Sequence, residues 1–201
     1  MENTLTFLTI EEMEDSILYG LEEEITTITN QCPFEIGRMP HSKMYFEISE
    51  HVQLQQKVYN FFSEIKNAFI FNLYTPKWSI ELPFVAPILK ALTLAADRIE
   101  LRIIYLEKEV ESDENKKDLT NKGLLKLTCV DKEQGDVCFS KSIRPSELAE
   151  LVANMRIDNK QEAEILAFAL EWYKEDNNQS IQLELFEYFK QKQSFSTSNY
   201  K

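Results

Sequence analysis

The sequence predicts an α/β fold built on a mixed central sheet, and three features carry that expectation. Two compact apolar runs, Ala68–Tyr74 (AFIFNLY) and Ile99–Leu106 (IELRIIYL), flank a helical stretch, Ile80–Asp97. Runs of this kind are buried on both faces of a sheet, and strand, helix, strand with short connections makes a right-handed unit with parallel strands. Two later segments, Leu124–Val130 and Val137–Ser142, flank the polar turn Asp131-Lys-Glu-Gln-Gly135 and read as an antiparallel hairpin, with Gly135 near the turn. Parallel strands followed by a hairpin give a mixed sheet, and helical periodicity fills most of the remaining chain.

Taken in order, the first element is a helix from about Ile10 to Thr29, with Met13, Ile17, Leu21, Ile25 and Ile28 on one stripe. Thr9 and Glu12 form a capping box at its start. A loop containing Cys32, Pro33, Gly37 and Pro40 ends it, and a short strand, Lys43 to Ile48, follows. Ser49 reads as the N-cap of a second helix carrying Leu54, Val58, Phe62 and Ile65 on one face. Between the second parallel strand and the hairpin, Glu107 to Asp118 is too polar for the core and reads as an exposed loop or surface helix. Pro145 opens a helix faced by Leu148, Leu151, Val152 and Met155, its missing N–H being one the first turn leaves unused. Helices at about Gln161–Glu175 and Ile181–Gln191 follow, the second capped by Ser180. The implied organisation is an N-terminal helical extension over 1–42, a core over 43–157, packed C-terminal helices over 158–192 and a frayed tail over 193–201.

Composition bounds the function classes. At 201 residues, with 43% hydrophobic and 28% charged residues, the chain can bury a core without staples. Thirty-four acidic against 22 basic residues give a net charge of −12, a field that repels phosphate backbones and anionic membranes. No nucleic-acid or membrane partner is therefore expected. No stretch approaches the roughly 20 apolar residues of a membrane helix, and the start MENTLTFLTIEEMEDS is acidic where a secretory signal is basic and then apolar, so a cytoplasmic protein is expected. Cys32, Cys129 and Cys138 lack metal-ligand spacing. With no HExxH, paired CxxC or phosphate-binding glycine loop, neither a metal nor a cofactor is expected.

Strand Ala68–Tyr74 followed by Trp78-Ser-Ile-Glu-Leu-Pro-Phe-Val-Ala-Pro-Ile-Leu89 resembles the heart of a thioredoxin, in which a Trp precedes Cys-x-x-Cys and the helix carries Ala-Pro-Ile-Leu. Lys122-Gly123-Leu124-Leu125 stands where that family has a basic residue, Gly, an aliphatic residue and cis-proline. Ile99–Ile103, Ile143-Arg-Pro145 and Glu171–Asp176 with Ser180-Ile-Gln extend the resemblance across about Lys43 to Phe189, towards a branch with added terminal helices. The resemblance implies a thioredoxin-like three-layer fold with Pro87 inside the active-site helix. It also exposes four losses. Ser79 and Leu82 occupy the two sulfur positions, Leu73 that of the buried acid and Leu125 that of the cis-proline.

Dithiol chemistry needs a thiolate at the helix N-terminus and a resolving thiol one turn on, so the resemblance implies a catalytically inactive scaffold rather than an enzyme. Ile80 and Glu81 replace the family's Gly-Pro, adding bulk and a negative charge. On such a scaffold, Trp78, Ser79, Ile80, Glu81 and Leu125 form a partner-binding surface, an apolar floor rimmed by Glu81 where an extended peptide would dock. Ser79 itself reads as a helix cap and not a nucleophile, because the two histidines, His41 and His51, lie far away in sequence. Cys129 and Cys138, on the two arms of the hairpin, read as packing residues, with a redox pair as the alternative. Two further readings stay open: a thiol-dependent oxidoreductase using that pair, and an acidic inhibitor or immunity-type protein holding a basic partner.

Overall fold

A computed structural model describes residues 7–17, 39–76, 79, 81–106 and 125–196. Among these residues the chain is a mixed α/β protein of seven helices and four strands. In chain order they are α1 (helical over 10–17), α2 (Met39–His51), α3 (Gln56–Ser63), β1 (Phe69–Pro76), α4 (Leu82–Ala95), β2 (Ile99–Leu106), β3 (Lys126–Asp131), β4 (Val137–Ser142), α5 (Ser146–Ile157), α6 (Glu162–Asp176) and α7 (Gln179–Ser196).

The sheet has the order β2-β1-β3-β4. β1 and β2 run parallel, with Phe71 beside Leu101 and Leu73 beside Ile103, so α4 is the crossover of the expected strand–helix–strand unit. β3 runs antiparallel to β1 and to β4, which makes the hairpin and the mixed sheet as read. Gly135 takes φ +77° in the hairpin turn, a region that suits a residue without Cβ. Leu8 forms an antiparallel bridge to Ile103, with two N–H to C=O bonds of 2.8 Å, and so blunts the outer edge of β2.

Phe69, Phe71 and Leu73 turn one side of β1 into a single apolar cluster to which all seven helices contribute. Phe189 of α7 is its aromatic centre, with ring centroids 5.1–5.9 Å from those of Phe62, Phe69, Phe71 and Phe139. Asn72, with Arg102 and Thr128 beside it in the register, lies on the opposite side of the sheet, outside that cluster. The described residues therefore show one helix-covered face, and the expected third layer is not among them.

Three local expectations are corrected. Lys43–Ile48 is not a strand but the middle of helix α2, because Tyr45 is drawn inward and donates its hydroxyl to Glu14 Oε1 of α1 at 2.6 Å. The same carboxylate accepts from Lys90 Nζ of α4 at 2.6 and 2.9 Å, so one acid joins three helices. Pro40 lies in the first turn of α2, where the absent N–H costs no hydrogen bond, so the loop read through it does not extend that far. Ser49 lies inside α2 and caps nothing downstream. The chain before α3 is held instead from 127 residues away, where Gln182 Oε1 accepts the Gln55 N–H at 2.8 Å and Gln182 Nε2 donates to the Gln53 carbonyl at 3.1 Å.

Other boundaries move less. Ser180 belongs to α7, and its N–H and hydroxyl both donate to the Asp176 carboxylate. Pro145 precedes its helix as the N-cap residue instead of opening it. The Thr9–Glu12 capping box is present, with N–H to side-chain bonds of 2.7 and 3.2 Å. The boundary read at residues 42 and 43 falls inside α2. Cys32, the 107–118 loop and the tail beyond 196 lie outside the described residues.

Candidate functional site

The corner where β1 hands over to α4 is where the resemblance puts its chemistry. Ser79 stands in the turn before the helix: its Oγ accepts the Glu81 N–H at 3.3 Å and its carbonyl accepts the Leu82 N–H at 3.2 Å. The N-cap of α4 is Glu81, so Ser79 braces the approach to the helix instead of capping it. Pro83 follows in the first turn, and Pro87 lies inside the helix, deleting the N–H that would bond the Pro83 carbonyl. Leu82, at the second sulfur position, is buried, as are Leu73 and Leu125.

Glu81 is not a rim residue. It is the one charged side chain between Lys77 and Lys90, and it is 0% exposed. An ionised carboxylate at such depth has to be paired, and Glu81 Oε1 accepts from Arg144 Nε at 2.5 Å, with the Arg144 side chain itself 10% exposed. The Tyr173 hydroxyl lies near the carboxylate, close enough to bias it yet without a well-formed hydrogen bond to it. Glu81 Oε2 and the phenol oxygen are thus both buried without a well-formed bond, at a cost of about 1–3 kcal/mol each. Burial pushes the Glu81 carboxyl above its usual range, against the pull of Arg144. Burial and the Glu81 charge likewise push the Tyr173 phenol up.

Ser79, Glu81 and Leu125 are all buried, so the described part of the expected partner surface is interior. Trp78 and Ile80 lie outside the described residues. A carboxyl with no exposed surface cannot pass a proton to a substrate unless the corner opens. From sequence, Arg144 and Tyr173 have no expected part at this corner, although a lone Glu within the apolar stretch Trp78–Leu89 is itself a signal that a cation must come to meet it.

Behind Tyr173 lies a separate feature. Its ring stacks on Phe84 with centroids 4.6 Å apart and planes 12° from parallel, and this pair forms part of a groove of about 380 Å³. The groove lies where α2, α4, α6 and the start of α7 meet. His51 lines this groove, and the His41 side chain lies outside the described residues.

The hairpin thiols do not face each other in register. Cys129 pairs with Phe139, and the register shifts between Cys129 and Val130, leaving Cys138 as the extra residue of a bulge beside it. Both thiols are free, Cys129 buried and Cys138 partly so. Burial pushes both up, Cys129 further still through its neighbour Cys138, which leaves little thiolate at neutral pH. Among the described residues no cluster of His, Cys, Asp and Glu could hold a metal ion, and no helix is long and apolar enough to cross a membrane.

No family model matches the chain, and no curated protein does. Among solved structures it is similar to a protein of unknown function from Pseudomonas aeruginosa, at 12% identity over 83% of this chain and 90% of that one, with a TM-score of 0.49. It is similar also to an HIV epitope-scaffold, at 12% identity over the same shares of each chain, with a TM-score of 0.48.

Proposed function

We propose that the chain is a redox-inactive protein of thioredoxin-like type that acts in the cytoplasm as a binding or adaptor module. The observation that carries this reading is the rebuilt corner: where dithiol chemistry needs two sulfurs at a helix entrance, Ser79 and Leu82 are buried around an internal Glu81–Arg144 ion pair. Serine offers no disulfide partner and leucine no sulfur, and a neighbouring carboxylate would oppose thiolate formation even if sulfur were restored. The element order, a parallel strand–helix–strand unit followed by a hairpin and a helix, supports the thioredoxin-like part. Because Ser79, Glu81 and Leu125 are interior, binding belongs to another face of the protein.

The test is reduction of insulin disulfides in the presence of dithiothreitol. The expected rate is that of the uncatalysed background, and a rate above background that is lost in Cys129→Ser would replace this reading with thiol chemistry at the hairpin.

A further inference from the structure

The groove beside Phe84 shares only Tyr173 with the corner, and its lining has a definite chemistry. Its floor is apolar, with Met44 and Ile48 from α2 and Phe84 from α4. Its two sides carry opposite charges, Glu47 on α2 and Lys174 on α6. Each has only a loose partner on its own helix, Lys43 at 3.5 Å and Glu171 at 3.8 Å, and all four side chains are more than half exposed. Both charges are therefore open to a ligand. Asn178, on the turn between α6 and α7, also lines the groove, is only 8% exposed, and leaves its Oδ1 buried without a hydrogen bond. Turning that carboxamide towards the groove would give the acceptor a donor.

We propose that this groove binds a free aromatic α-amino acid. The ring lies on Met44, Ile48 and Phe84, the carboxylate faces Lys174, and the ammonium faces Glu47 and the Asn178 carboxamide. A volume of about 380 Å³ lies at the small end of ligand pockets, about 300–1,000 Å³, and suits one ring with a short polar head. The proposal rests on the binding-protein reading but uses no residue of the corner.

The experiment is a titration of the ¹⁵N-labelled full chain with L-phenylalanine, followed by amide chemical shifts. Phenethylamine, 3-phenylpropanoate and L-alanine serve as comparisons lacking the carboxylate, the ammonium and the ring. Saturable shifts confined to α2, the start of α4 and residues 173–178 are expected, with a Kd of about 1–10 mM for so small a ligand. Each ligand lacking one charge should bind about threefold more weakly, the worth of one exposed ion pair. Lys174→Met should then make L-phenylalanine and phenethylamine equivalent, and Glu47→Gln should do the same for L-phenylalanine and 3-phenylpropanoate. Absence of saturable shifts, equal binding of all the ring-bearing ligands, or shifts that persist in a groove-filling Met44→Trp variant would overturn the proposal. A protein that reduces insulin yet binds here would sink only the redox reading, and a redox-silent protein that fails to bind would sink only this one.

Discussion

Replacing Arg144 with methionine keeps an unbranched side chain out to the position of Nε, removes the charge and strands the Glu81 carboxylate. Glu81 is 0% exposed, and the single good bond to Oε1 comes from Arg144 Nε, so nothing else described around it supplies positive charge. Breaking a buried pair from one side costs about 3–5 kcal/mol, because the remaining charge stays desolvated. Against a total stability of about 5–15 kcal/mol, that is a large share. With a urea m-value of about 2–3 kcal/mol/M for a chain of this size, the midpoint should fall by about 1.5 M at pH 7.5.

The loss should shrink in acid. Burial raises the folded-state pKa of Glu81 above the unfolded value of 4.5, so the folded state holds its proton the longer. A raised carboxyl contributes stability that is full below the unfolded pKa and disappears as pH climbs through the folded one, and removing Arg144 raises the folded value further. At pH 5 the variant can therefore protonate Glu81 and recover part of the deficit. The double variant Glu81→Met with Arg144→Met should lie between neutral and about 4 kcal/mol more stable, since well-packed apolar groups replace buried ion pairs without penalty. Urea unfolding of the three proteins at pH 5 and pH 7.5 decides the matter. An Arg144→Met loss under 1 kcal/mol at pH 7.5, or a deficit that grows in acid, would refute the reasoning.

Phe189→Ala should cost about 3–5 kcal/mol, as this ring meets four others at the heart of the sheet face, and a loss below 2 kcal/mol by urea unfolding would show the cluster to be plastic. Gln182→Leu should cost about 2 kcal/mol by orphaning the Gln55 N–H and the Gln53 carbonyl, with Gln182→Glu, which keeps one of the two bonds, in between. Gly135→Ala meets no atom within 4 Å, so its expected loss of about 1 kcal/mol is purely conformational and should appear in thermal melts without any change in the spectrum of the folded state. Titration with a thiol reagent at pH 8 should leave Cys129 unmodified until the protein unfolds, and prompt labelling of Cys129 in the native state would contradict its burial.

The strands and the crossover helix were legible because their signals are local. AFIFNLY and IELRIIYL are apolar without interruption, Gly135 marks the hairpin, and Thr9 with Glu12 spells a capping box in four residues. Lys43–Ile48 misled because Tyr45, Phe46 and Ile48 favour strands in isolation, whereas packing against α4 and the bond to Glu14 hold the segment helical. The support of α3 could not be read at all, since its donor and acceptor partners meet a glutamine far along the chain. At the corner, the absent sulfurs were plain in the sequence. The burial of Glu81 was not, because Arg144 arrives from beyond the hairpin and Tyr173 from a helix later still.

The contributions of α7 bear on how the chain comes into being. Its Gln182 holds the approach to α3 and its Phe189 closes over the sheet, yet it is synthesised after both of them. Until residues 179–196 have been made, the nascent polypeptide therefore presents an open apolar sheet face, and the closing helix arrives only after the strands it covers. Premature termination before residue 179 would leave a fragment fit for chaperone capture or proteolysis instead of a smaller working protein.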